Sequence, residues 1–239
     1  MYFALAAVLL GLLLWPGSAS AGTVVWNLGA NWSNTDNPNT PWSYNYGASP
    51  FSLSGFNPAW DTGDFIGGVP AWTTAGDIPV WFRYSGEFYK SGLFDALAGD
   101  VITHSQNPGP AGLSNVTWTS PIEGGIDITG GVWMPRQVDP RDNHWRLYLN
   151  SALLASGDIN SYDADRATRD DPSSFDSGWM AVHPGDVVTL EFEPYYHASG
   201  DFVAMGLNIE GEIPEPATGL LLAGSLLLLA AKFRLSKRA

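Results

Sequence analysis

The stretch 186–193 constrains the fold of this chain more than any other. Val188, Leu190 and Phe192 alternate with Thr189, Glu191 and Glu193, the period of two that sets one face of a strand against a core and the other in water. His183-Pro184-Gly185-Asp186 leads into it. Proline presets φ there and glycine accepts the left-handed position, so the tetrapeptide is a turn. No sustained helical period occurs between Gly22 and Gly211. Shorter alternating runs, separated by Gly, Pro, Asn and Asp, cover 23–28, 79–84, 116–120, 125–132, 145–150, 178–182 and 202–209. Ile126 and Ile128 share one face, Leu147 and Leu149 another, and Val203, Met205, Leu207 and Ile209 a third. Asn150-Ser151 turns the chain back into 152–156 as a hairpin. The pattern predicts an all-β sandwich or barrel of antiparallel strands.

The segment 31–72 is different. It is dense in Asn, Ser, Pro and Gly with large rings spread through it, and reads as long ordered connections covering the sandwich. Trp32, Trp42, Tyr44, Tyr46, Trp60 and Trp72 are the candidate glycan-binding residues. Aromatic faces stack on the C–H faces of sugars, while a few polar groups bond the hydroxyls. The competing reading is packing, since the chain has eleven tryptophans and no cysteine to staple a core.

Both ends suggest export. An apolar run from Phe3 to Trp15 is broken by Pro16-Gly17 and followed by Ala19-Ser20-Ala21, the small-x-small form of a signal peptidase site, with Ala19 and Ala21 as its small residues. No Lys or Arg precedes the run, a departure from the usual positive start. At the other end Pro214-Glu215-Pro216 is followed by an apolar stretch, 217–231, and then by Lys232, Arg234, Lys237 and Arg238. As a helix that stretch would reach roughly 22 Å at 1.5 Å per residue, short of a hydrocarbon core of about 30 Å, and the basic cluster would hold its end inside. The three zones in this order closely resemble the PEP-CTERM sorting signal of Gram-negative bacteria. The resemblance implies that Pro214, Glu215 and Pro216 are recognised by an exosortase-type membrane protease, and that the protein is held transiently in the inner membrane before reaching the cell surface or an exopolysaccharide matrix. The expected organisation is a signal peptide over 1–21, an extracellular β-sandwich domain over 22–210 and a sorting signal over 211–239.

A second resemblance runs through the middle. Asp100 to His104 with Asn107-Pro108-Gly109, the run 116–120 into Pro121 and Gly124-Gly125, and the strand after Pro184-Gly185-Asp186 are similar to jelly-roll domains of the carbohydrate-binding-module type. That implies a jelly-roll-like antiparallel β-sandwich.

Charge limits the partners. Between Gly22 and Pro216 lie all twenty-four acids and seven of the eleven bases, a net charge of about −17 at neutral pH, which argues against nucleic acid or an anionic membrane surface. No H-E-x-x-H or G-x-S-x-G pattern occurs among the four histidines and the serines. Asp139, Asp142, Glu191 and Glu193 are the carboxylates a hydrolase would draw on, although Glu191 and Glu193 also suit the wet face of a strand. The stretch holding Asp158, Asn160, Asp163 and Asp165 offers hard oxygen ligands of the kind calcium takes. It lacks EF-hand spacing, and Arg166 and Arg169 stand close by; a solvated loop explains it equally. These readings converge on a non-enzymatic, exported, matrix-associated protein with polysaccharide as its expected ligand. A purely structural or adhesive component, or a polysaccharide hydrolase, are the alternatives.

Overall fold

The computed structural model describes residues 22–52, 70–73, 79–86, 94–105, 112–136, 140–194 and 202–213. Fourteen strands lie in these segments, in two antiparallel sheets, and no α-helix occurs among the described residues. In chain order the strands are β1 (Gly22–Asn27), β2 (Trp42–Tyr46), β3 (Ser49–Pro50), β4 (Ala71–Thr73), β5 (Val80–Arg83), β6 (Val101–His104) and β7 (Ser114–Thr119). They continue as β8 (Gly124–Trp133), β9 (Asp142–Leu149), β10 (Ala152–Asn160), β11 (Ser173–Asp176), β12 (Met180–Val182), β13 (Val187–Pro194) and β14 (Phe202–Ile213). Contacts gather Val24–Gly211 into one compact unit.

The eight-stranded sheet runs β11-β8-β14-β6-β5-β4, with β1 also on β14 and β12 also on β8. The six-stranded sheet runs β10-β9-β13-β7-β2-β3. Four antiparallel pairings nest inside one another: β6 with β14, β7 with β13, β8 with β11 and β12, and β9 with β10. Successive pairings alternate between the sheets, which is the winding of a jelly roll. The remaining early strands extend its edges.

The alternation that predicts the strands also builds the core. In β13, Val188, Leu190 and Phe192 are buried at 1% exposure or less, facing Ile126 and Ile128 of β8 and Val203, Met205, Leu207 and Ile209 of β14 within one apolar cluster. Burying each such side chain contributes about 1.5–3 kcal/mol relative to leaving it in water. Trp42, Trp81 and Trp118 are wholly buried there, and the rings of Trp81 and Phe192 meet at 6.0 Å. A hydrogen-bonded chain threads this apolar layer: Trp81 Nε1–H donates to Ser114 Oγ at 2.8 Å, Ser114 and Thr103 hydroxyls meet at 2.8 Å, and Thr103 donates to the Val80 carbonyl at 2.9 Å. Because Thr103 spends its proton on Val80, Ser114 is the donor of the middle bond. The Trp81 indole N–H and the Ser114 and Thr103 hydroxyls are thereby satisfied across both sheets.

Segment 31–72 departs from the expected long connections. Trp42 to Tyr46 form β2, hydrogen-bonded along β7 with Trp42 opposite Trp118 and Tyr44 opposite Val116. The stretch obeys period two, but its outward positions are Ser43 and Asn45, residues typical of turns. The large rings point inward and decide the outcome. At the other end of the molecule the hairpin turn is the expected one. Asn150 adopts φ 54°, and its side chain accepts from Val187 N at 2.9 Å and donates to Asp186 at 3.1 Å.

The eight-stranded sheet is covered on its outer face along β5, β6 and β14. Phe82, Ile102, Phe202 and Ala204 project away from the sandwich into a second apolar cluster, packed against Phe94, Ala96 and Ala167. Arg169 holds the covering segments together: its backbone N–H donates to Asp95 and its Nε to Asp100, both at 2.8 Å. On the six-stranded sheet no apolar cluster covers the outer face among the described residues.

Candidate functional site

Alternation along three neighbouring strands assembles the site. In β9, Trp145 and Leu147 turn into the core, leaving His144, Arg146 and Tyr148 on the outer face. In β13 the outward set is Thr189, Glu191 and Glu193. Register then aligns the rows. Arg146 lies opposite Glu191, and His144 opposite Glu193 on one side and Asp158 of β10 on the other.

Arg146 is the centre of this patch. Its Nη2 donates to Glu193 Oε2 at 2.8 Å and its Nη1 to Glu191 Oε1 at 3.3 Å. Partial burial opposes the guanidinium's charge, but the bonds to the two carboxylates and their negative charge outweigh it and raise its pKa. Tyr148 donates to the same Glu191 oxygen at 3.4 Å; desolvation first, and the neighbouring carboxylate after it, raise the phenol's pKa. His144 Nδ1 and Asp158 Oδ1 are 2.6 Å apart. His144, Arg146, Asp158, Glu193 and Pro194 line a concavity of about 430 Å³.

Towards β7 and β2 the face continues but closes on itself. Asn45 Nδ2 donates to Asn115 Oδ1 and Thr117 Oγ1, each at 3.1 Å, while Ser43 Oγ donates to Asn45 Oδ1 at 2.7 Å and Asn115 Nδ2 to the Gly47 carbonyl at 2.8 Å. Ser43, Asn45 and Asn115 are at most 9% exposed. The open half thus spans β10, β9 and β13, about 10 Å across at a strand spacing of about 4.8 Å. It presents fixed charged donors and acceptors, a phenol and one proline ring edge. That combination offers both donors and acceptors of hydrogen bonds on a fixed face.

The described aromatic candidates for glycan binding lie outside this patch. Trp42 and Tyr44 are 0% exposed and Trp72 is 4% exposed, so none offers a ring face to a ligand. Burial pushes the Tyr44 phenol far above its usual pKa. Trp32 and Tyr46 are half-buried against the same core, with Trp32 packed on Tyr44 at 4.3 Å. Packing wins here because a core without disulfides takes the largest apolar surfaces available. Indole donors that reach the edge find backbone or amide partners, as Trp72 Nε1 does at the Ser33 carbonyl, 2.8 Å away. Trp60 lies outside the described residues, as do Ala19, Ala21, Asp139 and Pro214-Glu215-Pro216 with the apolar stretch after them.

The candidate calcium ligands divide between two local arrangements. Asp158 turns to His144. Asn160 caps its own turn, accepting from the backbone N–H groups of Tyr162 and Asp163 at 3.1 and 2.8 Å and donating to Asp163 at 2.7 Å; Asp165 is exposed. No cluster of three or more His, Asp or Glu side chains suited to a metal occurs among the described residues. The carboxylates Glu191 and Glu193 share Arg146, and Asp142 is buried at 4% exposure.

His144, Arg146 and Tyr148 were not among the candidates the sequence suggests. Their alternation with Trp145 and Leu147 marks them as outward, but their meeting with β13 depends on a pairing across more than forty residues. Trp179, half exposed, is another omission.

No family model and no curated protein matches this chain. Among solved structures it is similar to the CBM22-1 xylan-binding domain from Paenibacillus barcinonensis, with 8% identity over 83% of this chain and 100% of that one, at a TM-score of 0.39. It is also similar to CBM51 from Clostridium perfringens in complex with methyl-galactose, with 11% identity over 78% and 99% of the two chains and a TM-score of 0.34. A Stig cyclase from Fischerella sp. TAU matches at 10% identity, 82% and 100% coverage and a TM-score of 0.39. At these scores the likenesses decide neither ligand nor activity.

Proposed function

We propose that this protein is an exported, non-enzymatic component of the cell surface or exopolysaccharide matrix that binds carbohydrate on the outer face of its six-stranded sheet. The observation that carries the reading is the open patch of His144, Arg146, Tyr148, Asp158, Glu191 and Glu193 on the outer face of the six-stranded sheet, over which no apolar cluster lies among the described residues. Charged donors and acceptors fixed on strands bond sugar hydroxyls without having to reorganise. Glu191 and Glu193 both bond the one Arg146 guanidinium, which supports binding rather than catalysis at this pair. A glycosidase instead needs one carboxyl kept protonated beside one kept ionised. Export and matrix location rest on the resemblance of the terminal segments to a signal peptide and a PEP-CTERM signal, with an exosortase-type protease as the processing partner.

The test is retention of the full-length chain in native gels containing xylan, galactomannan, hydroxyethyl cellulose or the host's own exopolysaccharide. Wild-type protein should be retarded by at least one polymer, and Arg146→Ala should weaken that retention at least tenfold. Equal mobility with and without every polymer refutes the reading. It would leave a structural or adhesive role, which the self-satisfied ion pairs of the same face also suit. Replacing Pro214-Glu215-Pro216 by three alanines should leave an unprocessed, membrane-held form in the host; normal trimming and release would refute the sorting assignment.

A further inference from the structure

Trp179 stands apart from the other tryptophans. Among the described residues Trp26 and Trp32 are half-buried, and Trp42, Trp72, Trp81, Trp118, Trp133 and Trp145 are buried, whereas Trp179 is 51% exposed. Exposure of the largest apolar side chain costs more than exposure of any other, so its position is informative.

The ring is held, not loose. It lies over Gly125 of β8: a Cβ on that glycine would sit 3.3 Å from Cε3 and 3.7 Å from Cζ3 of the indole. The six-membered ring of the indole therefore sits against the bare backbone of Gly125, and about half of the residue remains exposed. The connection carrying the ring is laced to β8. Ser177 N donates to the Ile128 carbonyl at 3.0 Å, Ile128 N to Ser177 Oγ at 2.9 Å, and Gly178 N to Asp176 Oδ1 at 2.9 Å. Directly after the ring, Met180 pairs with Ile126 and Ala181 with Gly125.

The surroundings are polar acceptors. Ile126 and Ile128 point into the core, so Gly125 and Asp127 share the outer face of β8. Asp127 accepts from Ser177 Oγ at 3.4 Å, and Asp176 lies at the entry to the same connection, exposed. A half-exposed indole on a connection bonded to two carboxylates suits the amphipathic faces of a sugar ring, C–H groups on the plane and hydroxyls at the rim.

We infer that Trp179, seated on Gly125 and flanked by Asp127 and Asp176, is a stacking platform for an uncharged pyranose residue of a polysaccharide. It is a second site, on the other sheet from the patch around Arg146, and does not depend on that patch. The two flanking carboxylates repel uronates and sulfated sugars, so the ligand is a neutral sugar.

The experiment uses the full-length chain and three neutral polymers, xylan, galactomannan and hydroxyethyl cellulose, with polygalacturonate as the acidic control. Trp179→Ala should reduce retention on at least one neutral polymer about tenfold in both the wild-type and the Arg146→Ala background, whereas Trp179→Phe, which keeps a stacking ring, should retain most of it. Adding the retained neutral polymer should lower acrylamide quenching of tryptophan fluorescence in the wild type and not in Trp179→Phe. The inference is overturned if Trp179→Ala binds like wild type while Arg146→Ala loses binding, an outcome that leaves the first site standing. It is also overturned if polygalacturonate is retained as strongly as the neutral polymers, or if wild-type protein is retained by none. Shielding of Trp179 that grows with protein concentration alone, without polymer, would assign the ring to self-association and equally overturn it.

Discussion

Lowering the pH from 7 to 4 should destabilise this fold through His104. The imidazole lies in β6 between β5 and β14, 5% exposed, with its ring 4.9 Å from that of Phe202. Its Nδ1 is 2.8 Å from the Ser105 carbonyl. A carbonyl only accepts, so Nδ1 carries the proton of a neutral ring. Desolvation disfavours the charged form most; the carbonyl acts the other way, and Arg141 and Arg136 add repulsion, for a pKa lowered from 6.5 to about 4. The sign follows from proton counting. Between pH 6.5 and 4 the unfolded chain binds a proton at His104 that the folded chain does not, so stability falls as pH falls through this window and levels off below it. The difference of 2.5 pH units, at 1.36 kcal/mol each, gives a loss of about 3 kcal/mol. The assay is urea unfolding at pH steps from 7.5 to 3.5 for wild type and His104→Asn, whose amide puts a donor near the Nδ1 position. Carboxylates titrate in both proteins, so the informative quantity is the difference between the two curves. It should shrink by about 3 kcal/mol from pH 7 to pH 4. Parallel curves would refute the reasoning, because His104 would then be protonated in the folded state at no cost.

Two further perturbations test the packing on which the candidate sites stand. In Gly130→Ala the new Cβ would lie 2.2 Å from the Gly206 carbonyl oxygen and 2.7 Å from Phe175 Cζ; a backbone oxygen cannot swing aside, so the urea midpoint should fall by the equivalent of about 3 kcal/mol, and a change under about 0.5 kcal/mol would show that β8 and β14 are not so closely paired. Arg169→Met removes the partner of Asp100, whose side chain is only 14% exposed, and should cost about 1–2 kcal/mol. Asp100→Asn in the same protein should recover part of it, and no recovery would show that the loss is one of packing alone.

How far this architecture can be read from sequence depends on which side of each strand carries the signal. β13 and β14 are legible because their inward residues are apolar and their outward ones, Phe202 apart, polar or small, so the alternation shows without knowledge of any partner. β2 is concealed because Ser43 and Asn45, its outward residues, are favoured in turns, while its rings suggest ligand contact as readily as a core. Local sequence cannot decide between those uses of Trp42 and Tyr44; only the presence of Trp118 and Val116 on the facing strand does. The same holds for β6. His104 and Thr103 look like loop polarity, and become strand residues only because Val80 and Phe202 flank them. The patch around Arg146 is half legible: each strand's outward set can be listed, but the meeting of Arg146 with Glu191 and Glu193 is a matter of register between strands far apart in sequence. Trp179 is the reverse case. It sits in a stretch read as a strand, and its exposure is set by Gly125, whose absent side chain leaves room for the indole.

The two sheets differ in a way that bears on function. Both have one face in the sandwich, yet the outer face of the eight-stranded sheet is covered along β5, β6 and β14 by an apolar layer fastened through Arg169, Asp95 and Asp100. That layer stops short of the β8–β12 edge, where Trp179 rests on Gly125 in the open. On the six-stranded sheet no apolar cluster covers the outer face among the described residues, and its open half lies at β10, β9 and β13. β10 adjoins β11 across the edge of the sandwich, so the open parts of both sheets fall toward the same flank, the one formed by β10, β11 and β12. A single polymer running around that flank would meet hydrogen-bonding groups on one sheet and a stacking ring on the other. In that case the two substitutions Arg146→Ala and Trp179→Ala act on one bound chain, and their tenfold losses should multiply to about a hundredfold, because the affinity of a chain held at both places is the product of the two contacts. Small losses in each single substitution that become near-complete only in the double one would show two sites occupied by separate chains.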